Sequence, residues 1–135
     1  MKKILIAFLV IILSQSAVAA EGIKVDVLAK STKSWDGSAL PAYTEGQPEI
    51  TILKIEIQPG VKLPLHHHPV INMGVLTKGE LTVVSKDNEV LQLKAGDSIV
   101  EVVNKEHYGE NRGDAPAEII VVYAGVKDEK ITIYD

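Results

Sequence analysis

Residues 60–79, "GVKLPLHHHPVINMGVLTKG", decide how the rest of the chain is interpreted. Side chains along a β-strand alternate between its two faces, so His66 and His68 point one way and His67 points the other. If the strand continues past the proline that follows, Asn72 shares the face of His66 and His68. The stretch therefore predicts two imidazoles and an amide oxygen on one surface, and each of these groups is a feasible metal ligand.

The chain beyond residue 20 is a series of short runs rich in Val and Ile, separated by Gly, Pro and Asn turns. Many short strands at such spacing are typical of an antiparallel sandwich or barrel. No stretch beyond residue 20 has a sustained helical period with caps. We therefore predict an all-β fold, with strand-forming runs at 23–28, 49–58, 70–77, 80–85, 89–94, 97–103 and 117–125.

The run 49–58 departs from simple alternation. Ile50 and Ile52 lie on one face, whereas Leu53 and Ile57 lie on the other. A β-bulge, or a strand that is buried on both faces, would explain this pattern.

The first twenty residues have the pattern of a cleaved signal peptide. Lys2 and Lys3 form a basic start, residues 4–13 are apolar, and residues 17–19 form an Ala-x-Ala cleavage signal. A membrane anchor is the alternative, but a helix needs about 20 apolar residues to cross a bilayer. We therefore expect export to a bacterial periplasm, with no membrane attachment after cleavage.

The charge of the exported chain excludes some partners. Loss of Lys2 and Lys3 from the 14 basic residues would leave 12 against 18 acidic residues, a net charge of −6. Such a chain is a poor candidate for binding nucleic acid or an anionic membrane surface. It has no cysteine, so no disulfide can stabilise it.

The opening stretch resembles the first sequence motif of the cupin superfamily of small β-barrels. That motif is a glycine, five residues, His-x-His, three or four residues, a glutamate, six residues and a glycine. The same spacings hold here for Gly60, His66, His68, Asn72 and Gly79. Only the glutamate is replaced, by Asn72.

A later stretch resembles the second cupin motif, which is a glycine, five residues, Pro-x-Gly, two residues, a histidine, three residues and an asparagine. Here those spacings are occupied by Gly96, Val102, Asn104, His107 and Asn111. Valine and asparagine replace the proline and glycine of the turn. This changes little, because asparagine tolerates left-handed backbone geometry.

The chain also resembles a group of small exported single-domain cupins that share "SWDG" (34–37), "QPEIT" (47–51) and the His-x-His-Pro-x-x-Asn form of the first motif. The resemblance implies a single-domain cupin β-barrel, also called a double-stranded β-helix or jelly roll, with an N-terminal arm. The expected divisions are a signal peptide at 1–20, an N-terminal strand and arm at 21–48, and the barrel at 49–135. A homodimer that protects the sheet edges is also expected.

The same resemblance implies that His66, His68 and His107 meet inside the barrel and bind a divalent transition metal, with Asn72 at the usual glutamate position. Fe, Zn, Ni, Cu and Mn are not distinguished by this donor set. Replacing glutamate by Asn72 removes a negative charge, which makes the ion a stronger Lewis acid and weakens its binding.

Three glutamates near the second motif could restore the carboxylate, namely Glu101, Glu106 and Glu110. We interpret each of them as a solvated surface residue. Trp35 and Tyr43, in the arm, are interpreted as packing residues.

The predicted function is that of an exported metal-dependent enzyme, oxygenase-like, that acts on a small molecule at the three-histidine site. The main alternative is a non-catalytic cupin that binds or senses a small molecule or a metal. A metal-free barrel with a vestigial site is a third interpretation.

Overall fold

The structure is a computed structural model that describes residues 21–134. The predicted signal peptide lies outside these residues. Residues 21–134 contain nine β-strands and no α-helix, so none of their segments is a helix long and apolar enough to cross a membrane. The strands are β1 Pro48–Ile57, β2 His66–His67, β3 Ile71–Lys78, β4 Glu80–Ser85, β5 Val90–Lys94, β6 Ser98–Val100, β7 His107–Glu110, β8 Ala117–Val126 and β9 Ile133–Tyr134.

Two antiparallel sheets form the molecule. One has the strand order β1-β8-β3-β6, and the other has the order β5-β4-β7-β2-β9. Strands that follow each other in the chain often lie in different sheets, so the chain winds back and forth between the two layers. This arrangement confirms the predicted all-β jelly roll.

The core lies between the two sheets and is made of aliphatic side chains that alternate inward along each strand. On β8, for example, Ile119, Val121 and Tyr123 are buried, whereas Ile120 is exposed. The full buried cluster comprises Ile57, Val70, Leu76, Leu81, Val83, Leu93, Ile99, Ala117, Ile119, Val121 and Tyr123.

The irregular run 49–58 forms neither of the structures predicted for it. Strand β1 pairs with β8 in continuous register from Pro48 to Ile57, without a bulge. Ile50 and Ile52 point outward and are 57% and 65% exposed, whereas Ile57 is buried. The inner face of the strand is therefore buried only at its end, at Ile57, and its outer face exposes Ile50 and Ile52 beside Lys54 and Glu56.

The strand predicted at 23–28 is not formed. Between residues 21 and 47 the only β-bridge is an isolated one, between Lys33 and Ala39. Leu28 lies near the edge strand β6, where its carbonyl accepts a hydrogen bond from the Ser98 hydroxyl at 2.6 Å. Because this contact comes from a side chain, no backbone ladder is begun there.

The turn before β7 behaves as predicted. Asn104 has a φ of 55°, in the left-handed region that asparagine tolerates. Its backbone N–H donates to the carbonyl of His68 at 2.8 Å. The turn that leads to His107 is therefore connected to His68 by a backbone hydrogen bond.

Candidate metal centre

The three predicted histidine ligands come from neighbouring strands of one sheet. His66 on β2 is the direct cross-strand partner of His107 on β7. His68 follows two residues later, and the period-2 alternation of extended backbone returns its side chain to the face of His66. All three are buried, with 8%, 5% and 2% of the surface of His66, His68 and His107 exposed.

The three imidazole rings form a compact triangle inside the barrel. Their centroids are separated by 4.9 Å for His66–His68, 4.6 Å for His66–His107 and 5.0 Å for His68–His107. One ring nitrogen from each histidine lies within 4.8 Å of the others. The structure therefore brings together residues that are 39 to 41 positions apart in the sequence.

Backbone carbonyls determine which nitrogen of each ring faces the cavity. Nδ1 lies 2.7 Å from the Pro64 carbonyl in His66, 2.8 Å from the Ile131 carbonyl in His68, and 2.9 Å from the Lys105 carbonyl in His107. A carbonyl can only accept, so each Nδ1 carries the hydrogen and donates it. Each neutral ring then has a lone pair on Nε2, and this second hydrogen bond is characteristic of metal-binding histidines.

Burial keeps two of the rings neutral. It lowers the pKa of His66, and it lowers the pKa of His68 to about 4. The carbonyl contacts at Nδ1 oppose these shifts without reversing them. Both rings therefore offer a lone pair at neutral pH without first having to lose a proton.

Asn72, the fourth predicted ligand, lies in the same cavity. It is 1% exposed and lines the cavity together with the three histidines. Its Nδ2 makes only a long contact with the Val70 carbonyl, at 3.4 Å. His67, in contrast, is partly exposed and does not line the cavity, as strand alternation predicted.

Of the three glutamates that the sequence offered as a replacement carboxylate, only Glu101 lies in the cavity. It is 8% exposed and lines the cavity, so its interpretation as a solvated surface residue is wrong. Its Oε2 lies 3.7 Å from His107 Nε2. Alternation from the buried Ile99 could have placed Glu101 inside, but Val100 and Val102 made the opposite assignment equally consistent with the sequence.

The N-terminal arm holds Glu101 in place through residues 34–36. The Ser34 hydroxyl donates to the Glu101 carbonyl at 2.8 Å, and the Trp35 backbone N–H donates to the Val100 carbonyl at 2.9 Å. Trp35 Nε1 donates to Glu101 Oε1 at 3.0 Å, and the Val102 N–H reaches the same oxygen at 3.0 Å. Trp35 therefore does more than pack, because it orients a carboxylate of the cavity.

An ion pair fastens the same part of the arm. Lys105 Nζ lies 2.9 Å from Asp36 Oδ2, whose side chain is 4% exposed. Burial by itself would raise the pKa of Asp36, but hydrogen bonds from Ser38 and Lys105 outweigh it and lower the pKa to about 2. The charged carboxylate therefore stabilises this attachment at neutral pH.

The remaining candidates lie away from the cavity. Glu106 contacts Lys86, and Glu110 pairs with Arg112 at 2.8 Å; neither glutamate lines the cavity. Tyr43 is 82% exposed.

Asn111 is fully buried and locks the turn that follows β7. Its Nδ2 donates to the carbonyls of Ile57 and Ala115, each at 2.8 Å, and its Oδ1 accepts from the Gly113 N–H at 2.9 Å. All of its polar atoms are thereby occupied, so its role is structural.

The cavity beside the histidines is small and mostly apolar. It has a volume of about 70 Å³. Its walls are built from aliphatic side chains of both sheets, together with the Tyr123 ring, which packs edge-on against His68 with 5.3 Å between centroids. The aliphatic lining residues are Ile55, Ile57, Leu63, Leu81, Val83, Ile99, Ile119 and Val121.

The residues of the cavity fit a divalent transition metal. One ligand nitrogen from each of the three imidazoles lies within 4.8 Å of the others, each ring is oriented by a carbonyl, and an amide and a carboxylate lie beside them. Imidazole donors suit Zn, Cu, Fe and Ni, and the oxygen donors add Mn, so the donor set does not select one ion.

Comparisons with known proteins assign the chain to a family. Residues 53–123 match the family model described as "Cupin domain". This range contains the three histidines, Asn72 and Glu101 of the cavity. A search of curated proteins finds no match.

Several solved structures are similar to the chain. A DMSP lyase from Ruegeria pomeroyi has a TM-score of 0.56 and 19% sequence identity, over 63% of this chain and 42% of the lyase. An oxalate decarboxylase from Lactobacillus farciminis has a TM-score of 0.55 and 27% identity, over 63% of this chain and 26% of the decarboxylase.

A cupin-like protein from Thermotoga maritima has a TM-score of 0.55 and 15% identity, over 64% of each chain. This chain therefore spans less than half the length of the two enzymes, and the likenesses at 15% and 19% identity show the fold alone. The family match covers about half of the chain, and the two-sheet barrel agrees with it. The chain belongs to the cupin superfamily.

Proposed function

We propose that this protein is an exported metal-dependent enzyme that acts on a small molecule at the three-histidine centre. The observation that carries the proposal is the cluster of three buried histidines, each oriented by a carbonyl and with ligand nitrogens within 4.8 Å of one another, beside an apolar cavity. A structural zinc site is normally closed by four protein ligands in a tetrahedron, whereas a catalytic metal site keeps a position open towards a cavity. The cavity beside the histidines supplies such an opening.

A divalent transition metal bound by these residues would supply Lewis-acid or redox chemistry. The chain itself shapes the site. The carbonyl contacts hold the histidine rings in place, and the aliphatic walls exclude bulk water. A volume of about 70 Å³ is well below the few hundred Å³ of typical drug-sized sites, so the substrate has few non-hydrogen atoms. Its apolar part would lie against the aliphatic walls and its polar part against the histidines, Asn72 and Glu101.

The reaction class is proposed as oxygenase-like, because three histidines with an open position suit iron as well as zinc. The similarity to an oxalate decarboxylase makes decarboxylation of a small acid the second reaction to test. The two reactions give different products: an oxygenase consumes O₂, whereas a decarboxylase releases CO₂.

Metal analysis of protein isolated from its native compartment tests the centre. We expect about one ion per chain in the wild type, as for a single-ion site. The double variant His66→Ala/His107→Ala should lose most of the metal, whereas His67→Ala is the matched control and should keep it. Equal metal content in the wild type and the double variant would contradict the assigned site.

A substrate screen then tests catalysis. Protein loaded with Fe²⁺ or Mn²⁺ is offered small organic acids, oxalate among them, while O₂ uptake and CO₂ release are recorded. Turnover that disappears in His66→Ala/His107→Ala supports an enzyme. Tight ligand binding without turnover would instead favour the non-catalytic binding protein.

A homodimer is the proposed assembly. The outer face of the sheet β1-β8-β3-β6 exposes Ile50, Ile52 and Ile120, and next to them lies an apolar groove bordered by Leu28 and Met73. Exposed apolar patches of this kind favour association, and a second copy of the chain would cover the same patch on both molecules. Light scattering of the purified protein measures the mass directly.

Export to the periplasm is proposed from the sequence of residues 1–20. Expression of the full chain in a Gram-negative host, followed by fractionation and N-terminal sequencing, tests it. A periplasmic product that begins within a residue or so of Ala20 supports export. An uncleaved product in the cytoplasm would contradict it.

A further inference from the structure

We propose that Glu101 is a fourth ligand of the metal, so that the carboxylate missing from position 72 is supplied from the neighbouring segment of the chain. The inference rests on the proposed metal centre. It adds an anionic ligand that the first sequence motif does not contain, and an ion that takes six ligands would still keep positions open towards the cavity.

The first argument is the burial of the carboxylate. Glu101 is 8% exposed, and ionised groups are buried at such a level only when they are paired or bind a metal. Its Oε1 is satisfied by two N–H donors, from Trp35 and Val102. No N–H or O–H donor of residues 21–134 reaches Oε2, which faces the histidine cluster.

The second argument is the distance between Oε2 and His107 Nε2, which is 3.7 Å. This is too long for a hydrogen bond. Two ligands on one ion, with bonds of about 2.1 Å and angles of about 90–109°, lie roughly 3.0–3.4 Å apart. The pair therefore needs to close by only a few tenths of an ångström to share an ion.

The third argument is the tautomer of His107. Its Nδ1 donates to the Lys105 carbonyl, so in the neutral ring the Nε2 lone pair faces the carboxylate oxygen. Two electron-rich atoms that point at the same space repel each other, and a cation between them removes the repulsion. The rival arrangement, without a metal, is a direct ion pair between an imidazolium at His107 and Glu101.

The strand pairing explains how position 101 can replace position 72. Met73 on β3 is the cross-strand partner of Val100 on β6, and one step further the Glu101 N–H donates to the Asn72 carbonyl at 3.0 Å. Side chains of directly opposed residues lie on the same face, with Cβ atoms about 4.5–5.5 Å apart. A carboxylate at either position therefore reaches the same part of the cavity.

Trp35 is the positioning residue for this ligand. Its indole N–H holds Oε1 at 3.0 Å, which leaves Oε2 directed towards the histidines. The arm residues 34–36 therefore belong to the metal centre through their contacts with Glu101 and Lys105. A divalent ion bound only by the three neutral histidines and Asn72 would have a net charge of +2. The Glu101 carboxylate would lower this charge to +1.

Metal affinity and the spectrum of bound Co²⁺ test the proposal without any substrate. Zn²⁺ affinity is measured by competition with a chelator for the wild type, Glu101→Gln and the control Glu110→Gln. Glutamine keeps the shape of the side chain and a carbonyl oxygen for Trp35 and Val102, but it removes the charge. Loss of a ligand should exceed the 10- to 100-fold effect typical of outer-shell changes, so we expect Glu101→Gln to weaken binding by about 100-fold and Glu110→Gln to change it little.

A rescue variant and a positioning variant make the test specific. Asn72→Glu/Glu101→Gln returns a carboxylate to the cavity from the opposing strand and should recover most of the lost affinity. Trp35→Phe should weaken binding about tenfold and shift the Co²⁺ absorption bands while the carboxylate remains.

The outcomes separate the two proposals. If the wild type binds neither Zn²⁺ nor Co²⁺, the proposed metal centre itself is wrong. If the wild type binds metal and Glu101→Gln binds it with equal affinity and an unchanged Co²⁺ spectrum, the centre stands and the fourth ligand is overturned. A folded Glu101→Gln protein whose only change is the NMR signature of a lost imidazolium at His107 would establish the ion pair instead.

Discussion

Replacement of Asn111 by alanine should destabilise the fold strongly and leave metal binding intact. Asn111 occupies the last position of the second cupin motif, so a role in the centre and a role in the turn predict different results. Its side chain is fully buried and makes three hydrogen bonds, to the Ile57 carbonyl, the Ala115 carbonyl and the Gly113 N–H.

The magnitude follows from these contacts. Each hydrogen bond contributes about 1 kcal/mol to the free energy of unfolding, so Asn111→Ala should cost about 3 kcal/mol. Domains of this size have total stabilities of about 5–15 kcal/mol, so the loss is a large fraction of the whole. With a urea dependence of about 1.5 kcal/mol per molar, the midpoint of unfolding should fall by about 2 M.

Urea denaturation followed by circular dichroism, at one fixed protein concentration, measures the change. The control is Asn111→Asp, which keeps the volume and Oδ1 but replaces the two donors by a carboxylate facing two carbonyls. If the hydrogen bonds are responsible, this variant is at least as unstable as Asn111→Ala at pH 7. A loss below about 1 kcal/mol, or a fall in Zn²⁺ affinity of the folded variant, would refute the structural role.

Three further predictions concern the turn, the arm and the outer face. Gly79→Ala should destabilise the fold by about 2 kcal/mol or more, because φ is +70° and a Cβ would lie 2.6 Å from the Pro116 carbonyl oxygen; thermal unfolding measures it. The lowered pKa of Asp36 stabilises the fold above about pH 4, and this contribution is lost as the pH falls towards 2. The free energies of unfolding of the wild type and Asp36→Asn should therefore differ by up to about 2 kcal/mol at pH 7. In urea titrations at low pH the two values should converge. Ile52→Lys should convert a homodimer to monomers in light scattering, whereas Val90→Lys, on the other sheet and 53% exposed, should not; dimers in both variants would exclude this face.

Much of this protein could be predicted from the sequence, because the decisive information is local. Turn residues at regular spacing separate the strands, and the period of two in extended backbone places His66 and His68 on one face and His67 on the other. The left-handed conformation of Asn104 also follows from its residue type and its position in the turn.

Assignments failed where the sequence pattern was consistent with either face of a strand. In the run 97–103 both alternating sets contain aliphatic residues, so the pattern could not show that Glu101 points into the barrel. In the run 49–58 it could not show that Ile50 and Ile52 point outward. Nothing local to "SWDG" indicates that Trp35 donates to a carboxylate 66 residues away.

The sequence by itself determined the all-β fold class, the turns and the placement of His66 and His68 on the same face of one strand. Each of these depends on backbone geometry within a few residues. Only the tertiary structure decided that β2 and β7 pair, so that His66 faces His107. It also decided that Glu101 enters the same cavity with its carboxylate held by the arm. The physical reason is that a metal centre depends on distances of a few ångströms between side chains from separate strands. Those distances are determined by strand register and by the packing of the two sheets, which no local pattern encodes.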